Sequence, residues 1–293
     1  IVRLILNGIN ITNTSNAPLY IANSEKTLII LKENTTNYLT DTGNYVYENG
    51  EDEPNATLFS DDDLTIYGEG TLNVNANYND GIVSKDGLVI ASGNINVNAI
   101  DDGIRGKDYL VINKGNIDIN SDGDGIKADN DVDTNGGWIL IKSGSFNITS
   151  NGDGITAESN LEITYGVFAI ISGGGKTSYL SSNDSAKGIK SNFNLIIDDG
   201  IFNINSSDDA LHATNELIIN TGTFTLATGD DAIHSDNTLE IYGGKINITD
   251  AEEGIESPTI IINDGEINII SSDDAINAAG NTTNYLCSDR SCA

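Results

Sequence analysis

Basic side chains are scarce: 14 Lys plus Arg face 44 Asp plus Glu in 293 residues, a formal charge of −30. Nucleic acid and anionic membranes are gripped through Lys and Arg, so neither is an expected partner. Cations, neutral sugars and anionic ligands bridged by cations remain. Cysteine is limited to Cys287 and Cys292, too few for a thiolate metal site. They are close enough to close a small loop if the protein is exported. No signal-peptide pattern opens the chain, but it starts at Ile1, so the reading leaves export open. No apolar run approaches the length of a membrane span, and helical periodicity is missing. Aromatics make up only 6%, and with this charge such a composition fits a disordered chain. Against disorder stands the regular placing of the hydrophobic residues, 38% of the total.

What is abundant is repetition. The string Asp-Asp-Gly/Ala-Ile recurs with its small residue at Gly81, Gly103, Gly125, Gly154, Gly188, Ala210, Ala232, Gly254 and Ala275, most often 22 residues apart. Between these turns lie two apolar alternations. One is Leu-x-Ile, as at Leu110/Ile112 and Leu217/Ile219; the other is Ile/Phe-x-Ile, as at Ile117/Ile119 and Phe202/Ile204. Period-two patterning marks strands with one buried face. A unit of three short strands that cannot bury its own apolar face must stack on copies of itself. The expected fold is all-β, a right-handed parallel β-helix of roughly ten or eleven coils, about 4.8 Å apart. Hexapeptide and nonapeptide periods, which mark other solenoids, are absent. The β-helix is expected over 1–280 as one domain, with 281–293 as a tail. Residues 6–12 match the third-strand motif and 19–32 read as the next coil. Residues 33–54, seven extra residues near 129–136 and twelve near 173–185 read as loops bulging from turns.

Stacking turns each repeat position into a column. The two positions before the small residue carry Asp80, Asp101, Asp102, Asp124, Asp153, Asp208, Asp209, Asp230, Asp231, Glu252, Glu253, Asp273 and Asp274, so 13 of 18 are acidic. Carboxylates stacked this closely repel, and solvent, salt or cations must offset them. Ca²⁺, which takes six to eight oxygens, is the expected ion; the rival reading has each Asp cap its own turn through backbone amides. Asp129, Asp131 and Asp133, just after Asp122 and Asp124, alternate like the start of an EF-hand loop. The glycine comes too late and position 140 is Leu, so the pattern stands as a second candidate Ca²⁺ loop or as a solvated acidic one. Two residues past the small one, the column reads Val83, Arg105, Lys127, Thr156, Lys190, His212, His234, Glu256, Asn277. These cations either pair with neighbouring carboxylates or, as Arg105, Lys127 and Lys107, meet uronate carboxylates. His212 and His234 alone are a weak transition-metal pair. An outward column of Asn10, Asn73, Asn96, Asp118, Asn147, Asn203, Asn247 and Asn268 suggests an amide ladder. Trp138, Tyr45 and Tyr47, with Tyr38, are candidate stacking platforms for sugar rings.

The segments at 51–60, 78–86, 101–108, 123–131 and 207–213 together resemble a clostridial cell-surface carbohydrate-binding β-helix family, formerly a domain of unknown function. The likeness runs over about residues 5–280. It implies a fold similar to family 9 pectate lyases, bound Ca²⁺, and an extracellular, bacterial cell-surface location. It also implies binding of cellulose and of acidic polysaccharides such as polygalacturonate. The alternative is a Ca²⁺-dependent polyuronate lyase, in which Lys127 or Arg105 removes a proton that the ion has made more acidic. Recurrence of the acidic pairs along the whole rod favours binding. The Gly-His-Gly and Arg-Ile-Lys strings of polygalacturonases are absent.

Overall fold

A computed structural model of the chain describes residues 1–47, 50–178 and 185–278. The period-two strands assemble into three parallel sheets of eleven strands each. The first runs from Val2–Leu6 to Thr259–Ile262, the second from Asn10–Asn13 to Glu266–Ser271, and the third from Leu19–Ile21 to Ile276–Asn277. Every third strand in sequence is a hydrogen-bonded neighbour, so the chain winds through eleven coils of a right-handed parallel β-helix. Described residues of the acidic string open the strands of the third sheet, as at Asp80–Ser84. Leu-x-Ile supplies the first sheet and Ile/Phe-x-Ile the second.

Alternation sends one residue of each pair inward. In Asn94–Ala99, Ile95, Val97 and Ala99 are buried while the asparagines face out. Register is exact enough to stack like on like: Phe146, Phe168, Phe202 and Phe224 lie in four successive coils with centroids 4.6–4.8 Å apart and planes within 4°. Outside, Asn96 Nδ2 donates to Asn73 Oδ1 at 2.8 Å and Asn147 Nδ2 to Asp118 Oδ2 at 2.9 Å. The amide ladder is therefore real over these rungs, and Ala169 and Thr225 interrupt it.

One expected loop is partly a strand. Residues 33–54 contain Thr36–Asp41, which joins the second sheet between Asn10–Asn13 and Thr71–Ala76. Its inward positions are Asn37, Leu39 and Asp41, all buried, so polar residues mask the apolar pattern. Asn37 works as an internal staple. Its Oδ1 accepts the amides of Gly8 and Ile9 at 2.9 and 3.1 Å, and its Nδ2 donates to the Thr71 carbonyl at 3.1 Å, joining three coils. Asp41 accepts Asn77 N at 2.7 Å and Thr57 Oγ1 at 2.7 Å. The true insertion begins after Asp41. Its Glu53 pairs with Lys85 at 2.5 Å beside Phe59 and Val83, which point out from the third sheet yet are buried. Part of the expected loop at 173–185 and the tail at 281–293, with Cys287 and Cys292, lie outside the described residues.

Phe202→Ala should cost about 3–5 kcal/mol in urea unfolding, because its ring has a stacked neighbour on both sides and the rigid coils cannot collapse on the void. A loss below about 1 kcal/mol would show that the stack is not a close-packed core.

Candidate functional site

The third sheet carries the charge. Its outward column is in continuous register from Val83 through Arg105, Lys127, Thr156, Lys190, His212 and His234 to Glu256 and Asn277. From Asp80 to Asp153, and again at Asp209, the carboxylates that precede the strands obey one rule. One oxygen takes the backbone amide at the equivalent position of the next coil: Asp102 N to Asp80 Oδ1 at 3.2 Å, Asp124 N to Asp102 at 2.9 Å, Asp153 N to Asp124 at 2.7 Å, Lys187 N to Asp153 at 2.8 Å and Asp231 N to Asp209 at 3.2 Å. The other oxygen takes the outward side chain of that next coil. Arg105 Nη1 lies 3.7 Å from Asp80 Oδ2, Lys127 Nζ 3.1 Å from Asp102 Oδ2, Lys190 Nζ 3.4 Å from Asp153 Oδ2 and His234 Nδ1 3.4 Å from Asp209 Oδ2. Asp124 meets Thr156 there and turns to Lys127 of its own coil, at 2.9 Å. Glu253 keeps only the side-chain half of the rule, both of its oxygens accepting from Asn277 Nδ2, at 3.0 and 2.8 Å.

Most of the acidic column is therefore engaged by the protein itself. The charge pairing operates here, and the amide cap does too but on the next coil and not, as expected, on the aspartate's own turn. Lys187 stands where the column otherwise has an acid, and its ammonium sits 2.6 Å from Asp208 Oδ1 and 2.7 Å from Asp209 Oδ2. Asp208, Asp209 and Asp230 bring oxygens within 4.8 Å of one another, but a resident ammonium already holds two of them. Asp209 shows the result: burial opposes its charge, yet His212, His234 and Lys187 hold its carboxyl far below the usual range.

Asp80, Asp101 and Asp102 form the other all-oxygen cluster, also within 4.8 Å. Asp80 and Asp102 are buried and Asp101 is exposed, so the cluster opens to solvent. Lys127 holds Asp102 Oδ2 at 3.1 Å and Arg105, whose closer contact is Asp129 at 2.8 Å from Nη2, reaches Asp80 only at 3.7 Å, so neither cation bridges two of the three carboxylates as Lys187 does. Burial, together with the Asp102 charge, pushes Asp80 up to about 7. These donors suit a hard divalent ion such as Ca²⁺, which is satisfied by carboxylates, carbonyls and water.

The alternating acids of 129–136 do not converge. Asp129 turns back on Arg105, one coil away, while Asp131 and Asp133 are exposed. Asn130 Oδ1 accepts Val132 N and Asp133 N, and Asp133 Oδ1 accepts Asn135 N, so the loop closes on itself. Asp122 is exposed and accepts Asn151 Nδ2, and Asp273 and Asp274 are exposed in the last coil. Tyr45 stacks on Tyr78 at 4.2 Å, with its hydroxyl within 3.1 Å of Asp41 Oδ2 and the Ala56 carbonyl; Tyr47 donates to the Pro54 carbonyl at 3.0 Å. These two rings secure the insertion.

Trp138 has a partner that the sequence reading did not single out. Tyr109, one coil below, stacks on it at 5.0 Å and 12°. Gly87 makes room: a Cβ there would lie 1.9 Å from the Tyr109 ring, so the tyrosine leans across it toward Asp63. That glycine was the available signal. Lys107, just before Tyr109, makes no ion pair among the described residues.

With this geometry in place, known proteins supply context. Residues 1–232 match a family model described as carbohydrate-binding domain-containing protein. A protein of the same description from Acetivibrio thermocellus is 50% identical over 97 residues, which are 33% of this chain and 34% of that one. The match thus spans about a third of that relative's length. A solved structure described as a polysaccharide lyase-like protein from C. thermocellum, in a gadolinium derivative, is 37% identical. It covers 67% of this chain and 74% of its own, with a TM-score of 0.57.

The raised Asp80 carboxyl fixes a pH response. A carboxyl raised in the folded state contributes stability below its unfolded value of 3.8, and that contribution is lost as pH rises through about 7. In chelator, Asp80→Asn should raise the melting temperature by a few degrees at pH 8 and leave it nearly unchanged at pH 5. Equal shifts at both values would show that Asp80 is not the group titrating.

Proposed function

Since the chain belongs to the carbohydrate-binding domain-containing family, we propose that it binds polysaccharide at the bacterial cell surface, taking cellulose and acidic wall polymers such as polygalacturonate, with Ca²⁺ as a bridging ion. The observation that carries this reading is the pairing of two features across the third sheet. The oxygen cluster of Asp80, Asp101 and Asp102 lies at one edge. The Tyr109–Trp138 stack lies past the other edge, and Lys107 precedes Tyr109 by two residues in the connecting turn. Between the two features the strand of the third sheet is Ile104–Gly106, three residues or about 10 Å across, which suits a short run of sugar units. Sugar rings pack their apolar faces on aromatic side chains, and an ammonium attracts uronate carboxylates. Ca²⁺ held by the three aspartates would supply a positive charge that a uronate could share with them.

Binding is favoured over lyase chemistry by the state of the candidate bases. Abstraction of a proton needs a neutral amine or guanidine. Burial opposes charge on Lys127, but Asp102 and Asp124 hold its ammonium protonated well above the usual lysine range. Arg105 is paired with Asp129 and Asp80 and stays charged throughout.

Retention in gels containing polygalacturonate should fall several-fold on Lys107→Ala, on Trp138→Ala and on chelation of Ca²⁺. Cellulose pull-down should weaken with Trp138→Ala alone, by an amount in keeping with an aromatic contact of about 1 kcal/mol. Unchanged retention in all three cases would remove this face as the binding site. No absorbance from unsaturated uronides should develop in the same mixtures, and a steady rise would establish the lyase instead.

A further inference from the structure

The rule that links each carboxylate to the outward side chain of the next coil has one conflict among the described residues. Asp80, Asp102, Asp153 and Asp209 meet Arg105, Lys127, Lys190 and His234. Asp231 meets Glu256, which is in register directly beyond His234. Two carboxylates thus face each other where a cation stands elsewhere. Asp230, Glu252 and Glu253 line the same cleft, a cavity of about 260 Å³ that also contains His212 and His234. The nearest fixed ammonium, Lys187, is already committed to Asp208 and Asp209.

His234 is arranged as a ligand. Its Nε2 lies 3.3 Å from Asp236 Oδ1, and its Nδ1 sits between Asp231 Oδ2 at 3.3 Å and Asp209 Oδ2 at 3.4 Å, a contact with Asp209 that a bound ion would replace. Asp231, His234 and Glu256 each place a donor atom within 4.8 Å of the other two. An imidazole whose far nitrogen donates to a carboxylate presents its near nitrogen to a metal in a fixed orientation. A second triad, Asp209, His212 and His234, shares the histidine. The Lys187 ammonium 2.7 Å from Asp209 Oδ2 disfavours a dication there and leaves the Asp231–Glu256 side.

We propose that His234 Nδ1, Asp231 and Glu256 form a site for a divalent transition-metal ion of the zinc class, with Asp236 as the outer partner that orients His234. Imidazole with two carboxylates suits a borderline ion such as Zn²⁺ and is a poor choice for Ca²⁺, which takes oxygen donors. Three protein ligands leave at least one coordination position for water. The site is separate from the Asp80, Asp101 and Asp102 cluster and does not depend on the polysaccharide reading.

The test is calorimetric titration of the chelator-treated protein with Zn²⁺, repeated with Ca²⁺ in millimolar excess. One equivalent of Zn²⁺ should bind and resist that excess. Glu256→Gln and His234→Ala should each weaken it by at least 100-fold, and Asp236→Asn by about 10–100-fold. Lys187→Met should leave the affinity no weaker. Far-UV circular dichroism and the melt establish that each variant is folded, and Co²⁺ absorption in the visible reports on the ligand set of the wild type. No Zn²⁺ binding at 1 mM, displacement by Ca²⁺, or affinity unchanged in both Glu256→Gln and His234→Ala would each overturn the proposal.

Discussion

Parallel coils place equivalent residues one above another, about 4.8 Å apart, so any repeated aspartate becomes a line of negative charge. The rest of the molecule is arranged around that repulsion. Asp80, Asp102, Asp124, Asp153 and Asp209 are answered from the following coil, with a backbone amide on one oxygen and, where the register supplies it, a cationic side chain on the other. The two contacts reinforce each other. Sheet register fixes the amide, and the same register brings the cation two residues further along. A chain with formal charge −30 can stack eleven coils because much of that charge is countered locally.

Function follows from where this answer is incomplete. At Asp80 the guanidinium of Arg105 is drawn away to Asp129, and Asp101 adds a third carboxylate open to solvent. At Asp231 the answering position is itself acidic. Between them, Lys187 closes the gap by supplying an ammonium from within the column. Departures from one structural rule thus separate the parts of a uniform column into sealed segments and candidate cation sites. They also explain why residues of one type behave differently: Asp209 stays ionised to very low pH while burial and like charge push Asp80 up.

The fold was legible in the sequence because a 22-residue period and period-two alternation leave one way to bury the isoleucines. Legibility failed where polar residues point inward. Asn37 and Asp41 occupy core positions of a strand that therefore looked like loop. The charge columns were readable in register, but which atom meets which was not. Asp129, Asp131 and Asp133 share a spacing that suggests one ion, yet Asp129 is claimed by Arg105 one coil away. Tyr109 escaped notice because its contribution depends on the missing side chain of Gly87 and on Trp138, 29 residues later. His212 and His234 looked like too few ligands until the stacking brought Asp231 and Glu256 beside the second of them.

The most direct measurement is anomalous diffraction from crystals soaked separately in Ca²⁺ and Zn²⁺, which locates each ion against its ligands. Ca²⁺ is expected at Asp80, Asp101 and Asp102, Zn²⁺ at His234, Asp231 and Glu256, and neither at Asp208, Asp209 and Asp230, where Lys187 already stands. An ion seated against Lys187, or a regular file of ions along the whole acidic column, would contradict the claim that the protein's own amides and cations hold that column together.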